Sequence, residues 1–454
     1  MGNWQYDLTR GPILNRLLMV ALPIIGTQFV QMSYNLTDMF LLGRVGGDAV
    51  AASAAAGMYM WLSGGIMLIG RMGAEIGVAQ SMGGGDLETA RKYAQNSLFL
   101  AVLLGVLYAS VCIFFNRSLI GFFRIREAHV ALDAASYLRI TSLGAPAVIV
   151  SAAVAGTFNG SGNSRVPFAI NATGLVLNMI LDPLFIFVLE MGVTGAAIAT
   201  AIAQITVCLM SLAAIARRRD RPFEHFRFLE RPELRRLTRI LEWSLPISLE
   251  NVLFSFFGML VSRFVAGYGA HAMAVNRVGS QIESLCWLTC IGFATALTAF
   301  VGQNYGAGKW DRIRVCCRIS FAVISLWGVI VTFVLFFAGE FLFRIFLPDP
   351  ALVSMGKAFL RILAMCQIFG CLEAASAGSF RGLGRTVPPS VVSIVSNGLR
   401  VPLAYLLARS GMGLSGIWLG VTLGAMFRGL WLFLWFLRDF RHSLANEKTI
   451  RATR

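Results

Sequence analysis

The chain has 454 residues, of which 57% are hydrophobic and only 14% are charged. A soluble protein carries about 25% charged residues, so this composition excludes an ordinary soluble globular protein. The formal net charge of +16 would suit a nucleic-acid-binding protein, but the basic residues gather in alternate loops between apolar segments, which argues against that class.

Apolar stretches of membrane length recur along the whole chain and predict twelve transmembrane helices. Proline and glycine punctuation supports the divisions between them. In chain order, the predicted helices span residues 13–43, 48–80, 90–115, 129–157, 165–189, 193–216, 239–268, 271–303, 312–338, 354–380, 387–409 and 413–437. The sequence therefore predicts an all-α polytopic membrane protein.

Most Lys and Arg residues lie in the loops on one side of the membrane. The richest loop covers residues 217–239, and the tail after Arg438 is also basic. Because basic residues favour the cytoplasmic side, we expect both termini in the cytoplasm and the chain in the plasma membrane, which is the inner membrane if the source is bacterial. A second role for the basic loop in binding anionic lipid stays open.

The chain repeats itself with a shift of 223 residues. The sequence ALPI at 21–24 matches SLPI at 244–247, Gly46 matches Gly269, and Gln80 matches Gln303. Six helices thus recur as six helices, which predicts two pseudo-symmetric lobes related by an axis along the membrane normal, as found in transporters. The predicted parts are an N-lobe at 1–216, a basic cytoplasmic linker at 217–238, and a C-lobe with a cytoplasmic tail at 239–454.

The first predicted helix carries an acid at membrane depth. Gln28, Gln31, Asn35 and Asp38 are spaced three, four and three residues apart, so they share one helix face. A charge at bilayer depth costs roughly 2.5–3.5 kcal/mol on insertion scales and is usually functional. We therefore expect this face to look into a cavity or at other helices and Asp38 to be functional, with Gln31, Tyr34 and Asn35 as further candidates for substrate binding or coupling.

A second intramembrane acid lies in VLNMILDPLFIF. Asn178 and Asp182 are four residues apart and share a face, and Pro183 cannot donate to the carbonyl of Met179. A freed carbonyl beside a carboxylate suits a cation, and Thr200 on the next helix could add a hydroxyl. The four residues Asp38, Asn178, Asp182 and Thr200 would be metal ligands only if the coupling ion is Na⁺.

The repeat shows that Asp38 and Asp182 have no acidic counterparts in the second half. The position that matches Asp38 is Val261, and no acid stands in RVPLAY at 400–405, the region that matches Asp182. The C-lobe has its own acids, Glu250, Glu283 and Glu373, with several intramembrane arginines. For these three acids, a role in substrate binding or coupling and a role as buried ion pairs that fix helix packing stay equally open.

Catalytic and metal-binding patterns are absent from the sequence. The eight Cys residues fall in or beside apolar segments without metal-ligand spacing and are interpreted as small hydrophobic residues. The four His residues form no paired motif. We therefore expect no enzyme activity and no cofactor, only H⁺ or Na⁺ as a coupling ion.

Together, several motifs resemble one known family. The opening helix that ends in NLTDMFLLGRVGGDAVAA, then NGSGNSRVP, LNMILDPLFIFVLEMGVTGAAIAT and IESLCWLTCIGFATALTAFVGQNYGAGK, are similar to MATE transporters, the multidrug and toxic compound extrusion family of the MOP flippase superfamily. In the DinF-like prokaryotic branch, the first-helix acid and the Asn, Asp and Thr of helices five and six form a cation site. These are matched by Asp38, Asn178, Asp182 and Thr200, and Glu250 in LPISLEN resembles a seventh-helix pattern of that branch.

The resemblance implies an antiporter that expels organic cations in exchange for protons or sodium ions. The implied partners are the lipid bilayer and small organic cations, with no nucleic acid, and we expect a monomer. The alternative is a flippase of the same superfamily that moves a lipid-linked oligosaccharide or another amphiphile. Such a flippase would need a cationic cavity, which the arginines of the C-lobe keep open: Arg263, Arg277, Arg361, Arg400 and Arg428.

Overall fold

The long apolar runs fold as helices because a backbone in hydrocarbon has to satisfy its own hydrogen bonds. The computed structural model describes residues 7–123, 125, 127–217, 222–223, 226, 228, 230–346 and 349–452. Across these residues it has fifteen α-helices, two short π-helical turns and no β-strand. The predicted all-α class is confirmed.

Seven of the described helices belong to the first half of the chain. They are α1 (Ile13–Val45), α2 (Gly47–Gly83), α3 (Leu87–Phe114), α4 (Asn116–Gly121), α5 (Ala128–Gly160), α6 (Arg165–Pro183) and α7 (Gly192–Arg217). A π-helical turn at Leu184–Val188 follows α6 directly. The break agrees with Pro183, which lacks the N–H that would continue the helix.

Eight described helices belong to the second half. They are α8 (Leu234–Ala266), α9 (Ala270–Gly306), α10 (Trp310–Phe337), α11 (Gly339–Phe346), α12 (Pro350–Ala364), α13 (Gln367–Gly382), α14 (Val387–Leu407) and α15 (Gly413–Ala452). The second π-helical turn, at Ala408–Met412, follows α14 as the first follows α6. The short helices α4 and α11 were not predicted from the sequence.

The helices provide twelve membrane spans. Ten helical runs are long and apolar enough to cross a membrane, and α12 with α13 gives an eleventh when this bent pair is one span. One run joins α14 to α15 through Gly411, whose φ of 95° interrupts helical geometry. After the interruption α15 turns back along α14, since Gly416 packs against Leu407 and Gly424 against Arg400. Dividing the run there gives the twelve predicted spans among the described residues.

The tenth predicted helix is not continuous. The sequence predicted one helix over 354–380, whereas the structure has α12 and α13 bent by 45° at a break between Ala364 and Gln367. Met365 and Cys366 in the break retain helical backbone angles, but α12 ends in short i→i+3 hydrogen bonds. A single continuous tenth helix was therefore the wrong prediction.

The chain divides into two compact units. Met19–Ser248 makes up most of the first unit, whereas Thr9–Leu18 and Leu249–Arg454 form the second. Small side chains and fully buried residues such as Phe158 fill the first core, and Phe300 and Phe380 are fully buried in the second. Of the predicted linker, residues 218–221, 224–225, 227 and 229 lie outside the described residues, and α8 already begins at Leu234.

The two units repeat the same local geometry. Glycines with positive φ recur at matching places: Gly46 and Gly269, Gly85 and Gly308, Gly162 and Gly384, Gly192 and Gly413. Each pair has a spacing of 221 to 223 residues in the sequence, which includes the shift found in the repeat. L-residues rarely adopt this backbone conformation, so the glycines mark the same turns in both halves.

Candidate functional site

Helix α1 presents the first predicted acid. Pro23 lies inside this helix, and the hydroxyl of Thr27 donates to its carbonyl oxygen at 2.9 Å. About two and three turns after Thr27, Tyr34 and Asp38 are partly buried. Helix α1 contacts α6 at Gly26, because a Cβ there would lie 2.7 Å from the ring of Phe168.

The other two polar residues on this face of α1 are located differently. Gln31 and Asn35 are exposed rather than enclosed. The structure therefore divides the predicted polar face into a partly buried part, Tyr34 and Asp38, and an exposed part, Gln31 and Asn35.

Helix α6 carries the second acid and its amide neighbour. Both Asn178 and Asp182 are fully buried, and Nδ2 of Asn178 donates to Oδ1 of Asp182 at 3.0 Å. This is the face-sharing that a four-residue spacing predicts. Because α6 ends at Pro183, the buried carboxylate stands at the point where regular helical hydrogen bonding stops.

The structure brings the two acids together within one unit. The carboxylates of Asp38 and Asp182 are close enough for their charges to interact, and Tyr137 on α5 lies beside Asp38. Thr200 on α7 lies beside the hydroxyls of Tyr34 and Tyr137. We call these residues the N-lobe polar cluster: Tyr34, Asp38, Tyr137, Asn178, Asp182 and Thr200.

Several oxygen atoms of the N-lobe polar cluster are buried without a hydrogen bond of ordinary geometry to any described residue. They are Tyr34 OH, Asp38 Oδ1, Asn178 Oδ1, Asp182 Oδ2 and Thr200 Oγ1. An unsatisfied buried acceptor is costly, and two carboxylates in a low dielectric cannot both stay charged cheaply. A small cation would relieve both costs, since carboxylate, amide and hydroxyl oxygens are ligands for hard cations.

Sequence reasoning missed two residues of this region. Tyr137 is buried on α5, and Gln204 on α7 has a buried Oε1 that a Cβ on Gly144 would approach to 2.2 Å. Gln204 lies four positions after Thr200, so the two share one face of α7. Gln204 could have been found from the sequence, because it is a polar residue one turn after Thr200. Tyr137 gave none, because single tyrosines are common in apolar helices.

In the second unit, Glu283 lines a cavity of about 180 Å³ together with Arg400, Trp418 and Thr422. The charges of Glu283 and Arg400 interact. The guanidinium of Arg400 lies 5.1 Å from the ring centroid of Phe254, and its buried Nε has no hydrogen-bond partner among the described residues. This cavity therefore offers a carboxyl group, a guanidinium group and aromatic surface to a ligand.

The other two candidate acids of the second half are engaged by neighbours. Nε of Arg428 donates to Glu373 at 2.7 Å, and both side chains are buried. Glu250 accepts from the hydroxyl of Ser390 at 2.9 Å and has Arg381 at 3.7 Å. Of the two interpretations left open for the C-lobe acids, this geometry favours packing for Glu373 and Glu250, and leaves Glu283 facing a cavity.

A family model, MatE, matches residues 23–184 and 246–406. The two segments cover most of the chain and correspond to the two halves of the repeat. The chain belongs to the MATE family of transporters. It is accordingly a multi-pass membrane transporter and not an enzyme, as predicted from the sequence.

Individual MATE relatives agree over nearly the full length. The chain is 28% identical over 431 residues to a probable multidrug resistance protein NorM of Thermotoga maritima, with 94% of this chain and 92% of that protein covered. A MATE crystal structure in the bent conformation aligns with a TM-score of 0.91 at 22% identity, covering 98% and 99% of the two chains.

A second MATE-like structure has the same fold and a different reported character. It is a MOP superfamily transporter of Pyrococcus furiosus, described as having a binding pocket of reverse polarity that suggests a different function. Its TM-score is 0.90 at 22% identity, with 96% of this chain and 98% of that chain covered. At this identity the likeness shows the MATE fold alone.

Proposed function

We propose that the protein is a secondary active antiporter that exports organic cations or drugs in exchange for H⁺ or Na⁺ by alternating access. The observation that carries the proposal is the carboxylate pair, Asp38 and Asp182, enclosed in a membrane-embedded bundle with an unpartnered oxygen on each. The relatives named as multidrug resistance proteins support the same substrate class.

The exchange rests on competition between charges. When the site faces outward, Asp38 and Asp182 take up a proton or a sodium ion, because the pair holds one positive charge more easily than none. Uptake changes the contacts of α1 and α6, whose helical bonding is weakened at Pro23 and Pro183. Bound organic cation then leaves to the outside, and the small cation leaves to the cytoplasm. An inward potential of 100 mV contributes about 2.3 kcal/mol per charge.

The number of oxygen ligands that the site offers determines which coupling ion it can bind. A proton needs only a carboxylate, whereas a sodium ion needs several oxygen ligands, which the unpartnered atoms of Asn178, Asp182 and Thr200 supply together with Asp38. We propose that the protein works as a monomer in the plasma membrane with both termini in the cytoplasm. The excess of basic residues in the loops on that side supports the orientation.

A flippase for a lipid-linked oligosaccharide or another amphiphile is the second candidate. It is favoured by Arg400, which contributes an unpartnered guanidinium nitrogen to the C-lobe cavity. The Pyrococcus furiosus transporter with the reverse-polarity pocket shares the fold. A flippase would depend on Arg400 rather than on Asp38 and would select anionic substrates.

Everted membrane vesicles test the proposal. Uptake of ethidium, a planar organic cation, is first measured in vesicles whose interior is more acidic than the medium. It is then measured in vesicles whose interior holds more sodium than the medium, without a pH difference. We expect one gradient to drive uptake and Asp38→Asn to abolish it. The matched control is Asp48→Asn, which removes an exposed carboxylate that contacts His129 at 2.9 Å.

Uptake by Asp38→Asn at the wild-type rate would contradict antiport through this site. If neither gradient drives ethidium uptake, and Arg400→Met abolishes translocation of a fluorescent anionic lipid while Asp38→Asn does not, the flippase alternative replaces the antiporter.

A further inference from the structure

Three cysteines that are far apart in the sequence meet inside the second unit. Cys286 and Cys290 lie one turn apart on α9, and Cys371 comes from α13. All three are buried, and their sulfur atoms lie within 4.8 Å of one another. Sγ of Cys290 and Sγ of Cys371 are 3.5 Å apart, and all three thiols are free. We call these residues the thiol triad.

The spacing of the thiol triad suits one ion. Three sulfur atoms about 2.3 Å from a central ion stand about 4 Å apart. The sulfur atoms of the triad, which all lie within 4.8 Å of one another, can adopt this separation. No fourth His, Cys, Asp or Glu joins the triad among the residues that the structure describes, whereas zinc prefers four ligands. Soft thiolate ligands select Cu(I), which needs no fourth hard donor.

A second feature points to a ligand at this place. The indole of Trp327 on α10 lies beside Cys286, and its buried Nε1 has no hydrogen bond of ordinary geometry to a described residue. An N–H next to a coordinating sulfur is the outer-shell donor that commonly supports a metal-bound thiolate. Gly328, also on α10, lies against Cys371, since a Cβ there would be 3.0 Å from its sulfur. Three helices thus enclose the triad.

We propose that the thiol triad is a binding site for a soft, thiophilic cation, for which Cu(I) is the fitting ion. Each thiol that becomes a thiolate ligand releases its proton to the medium as the metal–sulfur bond forms. The bound ion bridges α9 and α13, so it ties these two helices together. Glu283 lies three residues before Cys286, on the same face of α9.

Copper binding to the purified full chain tests this site. Reduced protein in detergent is loaded with Cu(I) without oxygen and passed through gel filtration with a competing Cu(I) chelator. We expect one retained copper per chain, three sulfur ligands by X-ray absorption, and a higher unfolding temperature. The triple variant Cys286→Ser, Cys290→Ser and Cys371→Ser should lose retention at least tenfold and lose the thermal shift.

The control is the double variant Cys316→Ser and Cys317→Ser. These cysteines are also buried, but their sulfur atoms contact the hydroxyls of Ser320 and Ser379 instead of one another. The control should retain copper as the wild type does. If the triple variant fails to fold, Cys286→Ser alone decides, with the sulfur count expected to fall from three to two. Copper that is not retained by the wild type, or that is retained equally by the triple variant, overturns the proposal.

Discussion

The buried ion pair between Glu373 and Arg428 shows what a single charged residue contributes inside this bundle. Arg428 also donates to the side-chain oxygen of Asn397 at 3.0 Å, so its charge is held by two partners. Removal of one member of a buried pair leaves an uncompensated charge, which costs about 3–5 kcal/mol. For this reason we interpret Glu373 as a residue that stabilises the second unit.

The first prediction concerns this pair. Glu373→Gln should lower the free energy of unfolding in detergent by about 3–5 kcal/mol, and the double variant Glu373→Leu with Arg428→Leu should recover much of the loss. Glu340→Gln is the control, because Glu340 pairs with Arg344 and Lys357 at an exposed site. A Glu373→Gln protein as stable as the Glu340→Gln protein would show that the pair is not structural.

At the residue scale, charge was the signal that the sequence carried. Asp38 and Asp182 could be singled out as candidates because an acid in an apolar run is rare and energetically costly. Tyr137 and the thiol triad could not, because tyrosine and cysteine are ordinary residues in apolar helices. The triad also depends on Cys290 and Cys371, 81 residues apart, whose meeting is decided by the packing of α9 against α13.

At the scale of helices, the same small-residue contact occurs in both units. A Cβ on Gly156 would lie 2.3 Å from the backbone oxygen of Arg71, and a Cβ on Gly378 would lie 2.5 Å from that of Ala294. The glycines differ by 222 residues and their partners by 223. Glycines at such positions let helix backbones approach closely in membrane proteins.

Gly156→Ala therefore tests the close contact between α2 and α5. The added methyl group meets backbone rather than a movable side chain, so we expect a loss of about 1–3 kcal/mol in the free energy of unfolding. The control is Gly64→Ala on α2, where a Cβ would meet nothing within 4 Å. Equal unfolding temperatures for the two variants would contradict this account of the interface.

The start of α3 gives a prediction with a pH dependence. Asp86 accepts a hydrogen bond from the backbone N–H of Thr89 at 2.9 Å, and this bond lowers the pKa of Asp86. Asp86→Ala should cost about 0.5–2 kcal/mol at neutral pH. Because the pKa is lower in the folded state, the contribution of the charge is present above the unfolded pKa and is lost as the pH falls through the folded pKa.

Equilibrium unfolding in detergent at pH 7 and at pH 3 measures this effect. The difference between wild type and Asp86→Ala should shrink at the lower pH, whereas Asp86→Asn, which keeps an acceptor without the charge, should show little change relative to Asp86→Ala. A difference that grows at pH 3 would contradict the assignment of Asp86 as the charged cap of α3.

Helix existence followed from the sequence, but the break between α12 and α13 did not. The segment LAMCQIFG has no proline, and its one glycine lies beyond the break, within α13. Hydrophobic length alone therefore predicted one straight helix. The bend of 45° is decided by packing, which a pattern of apolar residues does not contain.

At the scale of the whole molecule, the repeat and the charge bias together predict the orientation. An even number of spans per half returns the chain to the same side, and the basic loops assign that side to the cytoplasm. A cysteine introduced by His442→Cys should be labelled only after cells are permeabilised, and one introduced by Ser410→Cys should be labelled in intact cells. The wild-type chain, whose eight cysteines are all buried, provides the unlabelled background. The reverse labelling pattern would invert the topology.

The central claim is that a small cation and an organic cation compete for the charge of Asp38 and Asp182. Displacement of the ion by substrate measures this competition most directly. Purified protein is given ethidium in weakly buffered solution with a pH-sensitive dye, and in parallel after loading with radioactive sodium. We predict release of one kind of ion by the wild type and by Asp48→Asn, and no release by the double variant Asp38→Asn and Asp182→Asn. Ethidium binding without release of either ion, or equal release by the double variant, would contradict the claim.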